Sequence, residues 1–124
     1  MKLTASIVLG VLATGSMVFS SSVNATDQLV ASICDYVAAD DKNRLRKKLD
    51  DSRLKLRNVY DDISCGGNSL LRHAMASNAT SAGEFIVKQL PKKKLASSGD
   101  YEWATANGHG ASAVAAAIKD RAGL

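Results

Sequence analysis

The two cysteines of this 124-residue chain, Cys34 and Cys65, are the side chains with the clearest capacity for covalent chemistry. They have neither the CxxC spacing nor the clustered histidines that are typical of a zinc site. In an exported chain we expect them to form one disulfide, because that compartment is oxidising. Such a cross-link stabilises the folded state by about 3.5 kcal/mol in the chain-entropy model. The alternative is a pair of buried free thiols.

Histidines and paired carboxylates are the candidates for acid–base chemistry. His73 and His109 could each act as a general base, but neither is accompanied by a Gly-x-Ser-x-Gly elbow or a Gly-rich phosphate loop. Adjacent residues on a helix point about 100° apart, so two neighbouring aspartates do not share a site. The three pairs are Asp40-Asp41, Asp50-Asp51 and Asp61-Asp62. We therefore expect no catalytic residue, no metal site and no cofactor, and keep a small histidine-dependent hydrolase as a remote alternative.

A dense run of basic residues is the strongest indication of a binding function. Its members are Arg44, Arg46, Lys47, Lys48, Arg53, Lys55 and Arg57. Such a cationic helix edge favours an acidic protein of the cell envelope or, alternatively, an anionic lipid or lipopolysaccharide surface. Nucleic acid is not expected, because aromatic residues are not interleaved with the cations. The run could also be a solvated surface whose charge the paired aspartates balance.

The first 25 residues have the pattern of a secretory signal peptide. Lys2 precedes an apolar stretch over residues 3–19, and Val23-Asn24-Ala25 provides a small-x-small cleavage site. We predict cleavage after Ala25, with a retained N-terminal anchor as the alternative. Removal of Lys2 would lower the net charge from +4 to +3. No second apolar stretch is long enough to cross a membrane.

The remaining chain is predicted to be all-α, a small bundle or short stack of helical hairpins. Val30, Ile33, Cys34 and Val37 form one apolar stripe with helical spacing, which places Cys34 on the inner face of the first helix. The predicted helices are 27–39, 42–50, 70–77, a segment from Thr80 or Ser81 to Pro91, 101–106 and 111–121. Residues 54–57 are predicted to be briefly extended, and residues 92–94 to be a basic linker.

Local signals set the ends of these helices. The Asp40-Asp41 pair and Ser69 are expected to cap helix N-termini, because their side-chain oxygens accept free backbone N–H groups. Gly66-Gly67 predicts a turn, and Asn78 predicts a left-handed helix end. We divide the mature chain into a disulfide-clipped helical domain, residues 26–94, and an alanine-rich helical hairpin packed on it, residues 95–124.

Two resemblances follow from these segments. Residues 67–78 resemble the opening of an ankyrin-type repeat, and residues 103–109 resemble the end of its inner helix, although the spacing departs from 33 residues. Residues 33–38, 54–61 and 63–71 resemble a family of small secreted proteins of Gram-negative bacteria, a domain of unknown function. That second resemblance covers about residues 30–90. It implies a periplasmic or secreted location and a cysteine pair, and it implies no activity.

Overall fold

The computed structural model describes residues 25–124, which form eight short α-helices and one 3₁₀ turn. In chain order these are α1 (Ala25–Ala38), α2 (Lys42–Asp51), α3 (Leu56–Val59), the 3₁₀ turn (Tyr60–Asp62), α4 (Leu70–Ala76), α5 (Thr80–Gln89), α6 (Lys92–Ser97), α7 (Asp100–Ala106) and α8 (Ala113–Ala122). The predicted all-α class is confirmed. The predicted leader lies outside the described residues, apart from Ala25.

The first two helices pack as a hairpin whose apolar faces were visible in the sequence. Ile33 and Val37 of α1 are fully buried, and Leu45 and Leu49 of α2 are buried beneath the basic run. The Asp41 side chain accepts the backbone N–H of Arg44 at 3.0 Å, which confirms the predicted cap of α2. This helix ends at Asp51, one residue beyond the predicted end at residue 50.

Helix α5 is central, because it packs on both α4 and α8. The Asp40 carboxylate accepts the backbone N–H of Ala82 at 2.7 Å, so a residue before α2 caps the start of α5. At the middle of α5, a Cβ on Gly83 would lie 2.5 Å from Cγ2 of Val114 on α8. The absence of a side chain at Gly83 therefore permits the close approach of α5 and α8.

The disulfide between Cys34 and Cys65 is present and joins α1 to the turn that precedes α4. Cys65 and Asn68 form an isolated antiparallel bridge around Gly66 and Gly67, whose φ angles are +61° and +88°. Both glycines adopt a left-handed backbone that other residues rarely tolerate, as the Gly-Gly pair predicted. Asn78, with a φ of +56°, has the predicted left-handed conformation after α4.

Two local predictions differ from the structure. The supposed basic linker over residues 92–94 is wrong, because these lysines form the first half of α6. Pro91 precedes that helix with a φ of −67°, which suits a helix start, and Leu95 is buried in the core. Lys55 is extended, as expected for residues 54–57, but helix α3 already begins at Leu56. Burial of Leu56 and Leu95 in the core stabilises these two short helices, although the neighbouring residues have only a weak intrinsic preference for helix.

The buried residues form one cluster, to which each of the eight helices contributes at least one side chain. Helix α7 contributes Ala104, while its aromatic residues Tyr101 and Trp103 are half-buried and pack against the cluster. The predicted domain boundary between residues 94 and 95 lies inside α6, and Leu95, Ala104 and Ile118 belong to the same cluster as Ile33. Among residues 25–124 no helix combines the length and the apolarity needed to span a bilayer. The ankyrin-like repeat stays a prediction.

We expect replacement of Gly83 by alanine to destabilise the protein by about 1–3 kcal/mol, because Val114 must move. Alanine favours a helix over glycine by about 1 kcal/mol, so the steric cost at this position would have to exceed that gain. Urea unfolding of Gly83→Ala would measure the change. The control is Ser81→Ala, at an exposed position of the same helix, which should be neutral or slightly stabilising. A stabilised Gly83→Ala protein would contradict the tight α5–α8 packing.

Removal of the disulfide in a Cys34→Ala/Cys65→Ala variant should lower the free energy of unfolding by about 3–4 kcal/mol. The physical reason is the larger conformational entropy of an unfolded chain without the cross-link. Urea unfolding followed by circular dichroism would measure it, with the reduced wild-type protein as a second sample without the cross-link. Unchanged stability in both samples would show that the cross-link does not stabilise this fold.

Candidate functional site

Six of the seven residues of the predicted basic face fall into two groups, one on each flank of helix α2. Leu45 and Leu49 point into the core, so residues on the two flanks of that stripe face different neighbours. One group comprises Arg44, Lys47 and Lys48, which line a shallow depression with Tyr36 and Asp51. The other comprises Arg46, Lys55 and Arg57, which line a pocket with Phe85. Arg53 is exposed in the left-handed turn after α2.

Ion pairs neutralise much of the first group. Arg44 Nε lies 3.4 Å from Asp41, and Lys47 Nζ lies 3.0 Å from Asp51. The two basic side chains are 73% and 76% exposed, so water and salt screen both pairs and each contributes little stability. Here the interpretation as a solvated, balanced surface agrees with the geometry.

The second group lines a pocket of about 220 Å³ at the junction of α2, α3 and α5. Within residues 25–124, none of Arg46, Lys55 and Arg57 takes part in an ion pair. The Arg46 guanidinium lies 5.5 Å from the centre of the Phe85 ring, within the range of a cation–π contact. Leu54 adds an apolar wall, and Asp50 is the acidic side chain at the rim. We call these residues the Arg46 pocket.

Four of the six paired aspartates make contacts to different partners. Asp40 caps α5 and Asp41 caps α2, while Asp51 pairs with Lys47 and Asp61 with Lys94. Each of these four carboxylates therefore has its own cap or ion-pair contact. In the described part of the chain, no group of three or more His, Cys, Asp or Glu side chains is arranged to hold a metal ion.

Each histidine has its own structural contact. His73 Nε2 lies 3.0 Å from the carbonyl oxygen of Cys34, beside the disulfide. The His109 ring stacks on Trp103 with centroids 5.4 Å apart and planes at 7°. The Arg72 guanidinium carbon lies 5.9 Å from the centre of the Trp103 ring. These contacts order the α7–α8 loop against α4.

The most heavily bonded side chain, Asp100, was missed by sequence reasoning. It is the first residue of α7, and its carboxylate is 1% exposed. Oδ1 accepts hydrogen bonds from Ser69 Oγ at 2.8 Å and Arg72 Nε at 2.9 Å. Oδ2 accepts from Tyr60 Oη at 2.6 Å and Ser98 Oγ at 3.0 Å. Four donors compensate the buried charge, and we call this group the Asp100 cluster.

The same cluster caps helix α4. Ser69 Oγ donates to Asp100 and also accepts the backbone N–H of Arg72 at 3.2 Å, the cap that the sequence predicted. Tyr60 Oη likewise donates to Asp100 and accepts the backbone N–H of Leu71 at 3.2 Å. Two of the free N–H groups at the start of α4 are therefore satisfied by side chains that also bind the carboxylate. Every oxygen of the carboxylate is occupied, so the arrangement is that of a structural anchor.

Burial raises the pKa of the Tyr60 hydroxyl strongly, and the negative charge of Asp100 and the hydrogen bond to it act in the same direction. Tyr60 therefore remains neutral and a donor in the folded protein throughout the ordinary pH range. No sequence pattern marks Tyr60 or Asp100, since 40 residues separate them. Only the tertiary fold shows that they belong together.

These observations define the structural class: an all-α fold with one disulfide and a buried aspartate whose hydrogen bonds join several helices. A family model described as "Protein of unknown function (DUF3718)" matches residues 33–97, and the chain belongs to this family. The resemblance seen in the cysteine-containing segments is thereby confirmed. No curated protein and no solved structure matches the chain. The matched segment includes both cysteines and the residues of the Arg46 pocket, and ends three residues before Asp100.

We expect a Tyr60→Phe variant to lose stability less steeply than the wild type above about pH 10. In the wild type the unfolded tyrosine ionises near that pH while the folded one stays protonated. The unfolded state then binds fewer protons, so the free energy of unfolding falls as pH rises. Phenylalanine cannot ionise, so this contribution disappears, although the lost hydrogen bonds lower the stability at pH 7 by about 1–3 kcal/mol.

Urea unfolding at a series of pH values from neutral to alkaline would compare the two proteins. All lysines and the other tyrosines are shared, so the difference between the two curves isolates Tyr60. Parallel curves across the whole range would contradict a protonated, buried Tyr60.

Proposed function

We propose that this protein is a non-enzymatic interaction module of the cell envelope that binds an acidic partner protein through the Arg46 pocket. The observation that carries the proposal is the convergence of Arg46, Lys55 and Arg57 on one concavity without an ion pair among residues 25–124. Unpaired cations around a half-buried aromatic ring are suited to an incoming carboxylate. The disulfide supports an extracytoplasmic location, because such cross-links persist in oxidising compartments.

The shape of the surface favours a protein partner over a lipid bilayer. A membrane-binding face combines coplanar cations with protruding apolar side chains. Here Phe85 is half-buried in the pocket wall, and Leu124, 44% exposed at the chain end, is the one exposed large hydrophobic residue in the described chain. The cations also lie on two flanks of α2 and are interspersed with Asp50 and Asp51. A membrane or lipopolysaccharide surface is the alternative that the experiment must separate.

A charge-reversal comparison tests the pocket. The Arg46→Glu/Lys55→Glu double variant reverses two pocket cations, and the Arg44→Glu/Lys47→Glu variant makes the same charge change on the other flank of α2. We expect immobilised wild-type protein and the second variant to retain the same acidic proteins from an envelope extract. The first variant should lose them at least tenfold, because repulsion replaces attraction at the pocket.

Equal losses in both variants would show that only net charge matters, and retention by both would contradict the proposal. Circular dichroism must show that both variants are folded. Flotation with phosphatidylglycerol vesicles at low salt provides the second arm. Wild-type flotation that the pocket variant abolishes, without any captured acidic protein, would overturn the proposal in favour of lipid binding.

A further inference from the structure

The Arg46 pocket continues into a second depression along the junction of α2 and α5. The two concavities share Arg46, Phe85 and Gln89. The second, about 330 Å³, extends toward Lys42 and Lys88. Together they form a groove with the stacked Arg46–Phe85 pair at its middle. We call it the α2–α5 groove.

Cations predominate along this groove. Those that line it are Lys42, Arg46, Lys55, Arg57 and Lys88. Asp50 at one end and Glu84 at the other are the acidic side chains that line it. Because these five cations are absent from the ion pairs within residues 25–124, their hydrogen-bonding capacity is available to a ligand.

The spacing of the cations matches an extended chain. Lys42 and Arg46 are one helical turn apart on α2, about 6 Å along the axis. Alternate side chains of an extended peptide point to the same side and are about 6.7 Å apart. Two acidic side chains separated by one residue could therefore contact Arg46 and Lys42 at the same time.

We propose that the α2–α5 groove binds an extended segment of the partner that carries acidic residues at alternate positions, acidic-x-acidic. This inference rests on the proposed function and adds the form of the recognised element. The first concavity, about 220 Å³, is smaller than typical ligand pockets of about 300–1,000 Å³, and the second, about 330 Å³, is at the lower end of that range. Both are better matched to single side chains than to a whole cofactor. The opposite flank of α2, with its two ion pairs, does not take part in this binding.

Two synthetic peptides of identical composition test the inference. Ser-Glu-Ser-Glu-Ser-Ser, with both ends blocked, has its glutamates two positions apart and on the same side of an extended chain. Ser-Glu-Ser-Ser-Glu-Ser has them three positions apart and on opposite sides. In ¹⁵N-resolved NMR titrations we expect the first peptide to bind at least fivefold more tightly and to shift resonances of α2 and α5 near Arg46.

Substitutions then locate the binding. Lys42→Ala should reduce the difference between the two peptides, and Arg46→Ala should weaken binding of the first peptide at least fivefold. The matched control, Lys47→Ala on the other flank, should leave both affinities unchanged. Equal affinity for the two peptides, or shifts centred on Tyr36 and Lys47, would overturn the inference.

The two proposals fail in different ways. If neither peptide binds but the charge-reversed pocket still loses acidic envelope proteins, the extended acidic segment is wrong and the proposed function stands. If the charge reversal leaves protein capture unchanged, the proposed function is wrong. Binding to phosphatidylglycerol vesicles in the absence of peptide binding overturns the groove inference as well.

Discussion

The buried carboxylate of Asp100 is the interaction on which the rest of the structure depends. An ionised group removed from water is costly unless hydrogen bonds and an opposite charge replace its hydration. Here Arg72 provides the charge, and three hydroxyl groups complete the coordination of both oxygens. Those donors come from the 3₁₀ turn, the start of α4 and the end of α6. A wrong arrangement of any of these segments would leave the charge unsatisfied, so the cluster favours one packing of the helices.

The cluster also links the matched family segment to the last two helices. Tyr60, Ser69 and Arg72 lie inside residues 33–97, whereas Asp100 follows that segment. Trp103 of α7 adds a contact to the Arg72 guanidinium and a second one to the His109 ring. Helix α4 therefore connects α5, which forms one wall of the α2–α5 groove, to the last two helices. The position of Arg46 in the groove depends on Phe85 of α5, and α5 is in turn packed on α4 and α8.

Features determined by neighbouring residues could be predicted from the sequence, and features determined by distant residues could not. The side chains of Asp41 and Ser69 cap the starts of two helices through local hydrogen bonds, as predicted. Asn78 adopts the predicted left-handed conformation after the end of α4. Asp100 lies just before the predicted helix 101–106, and its donors lie up to 40 residues away. The basic residues could be identified from the sequence. Their division between the two flanks of α2 could not, because it depends on where the fold places Phe85 of α5. The three successive lysines before Leu95 were predicted to be a linker, but they belong to a short helix whose buried residue is Leu95.

The cross-link between Cys34 and Cys65 encloses the whole basic run in a covalent ring. Each exposed lysine or arginine in that ring is a cleavage site for trypsin-like proteases. A single cut there opens the ring without releasing a fragment, because the disulfide still joins the two ends. The cut chain keeps α1 beside the turn before α4, and both pieces stay in contact with the shared core. The segment enclosed by the disulfide, which carries the basic run, is thus one in which a first cut releases no fragment.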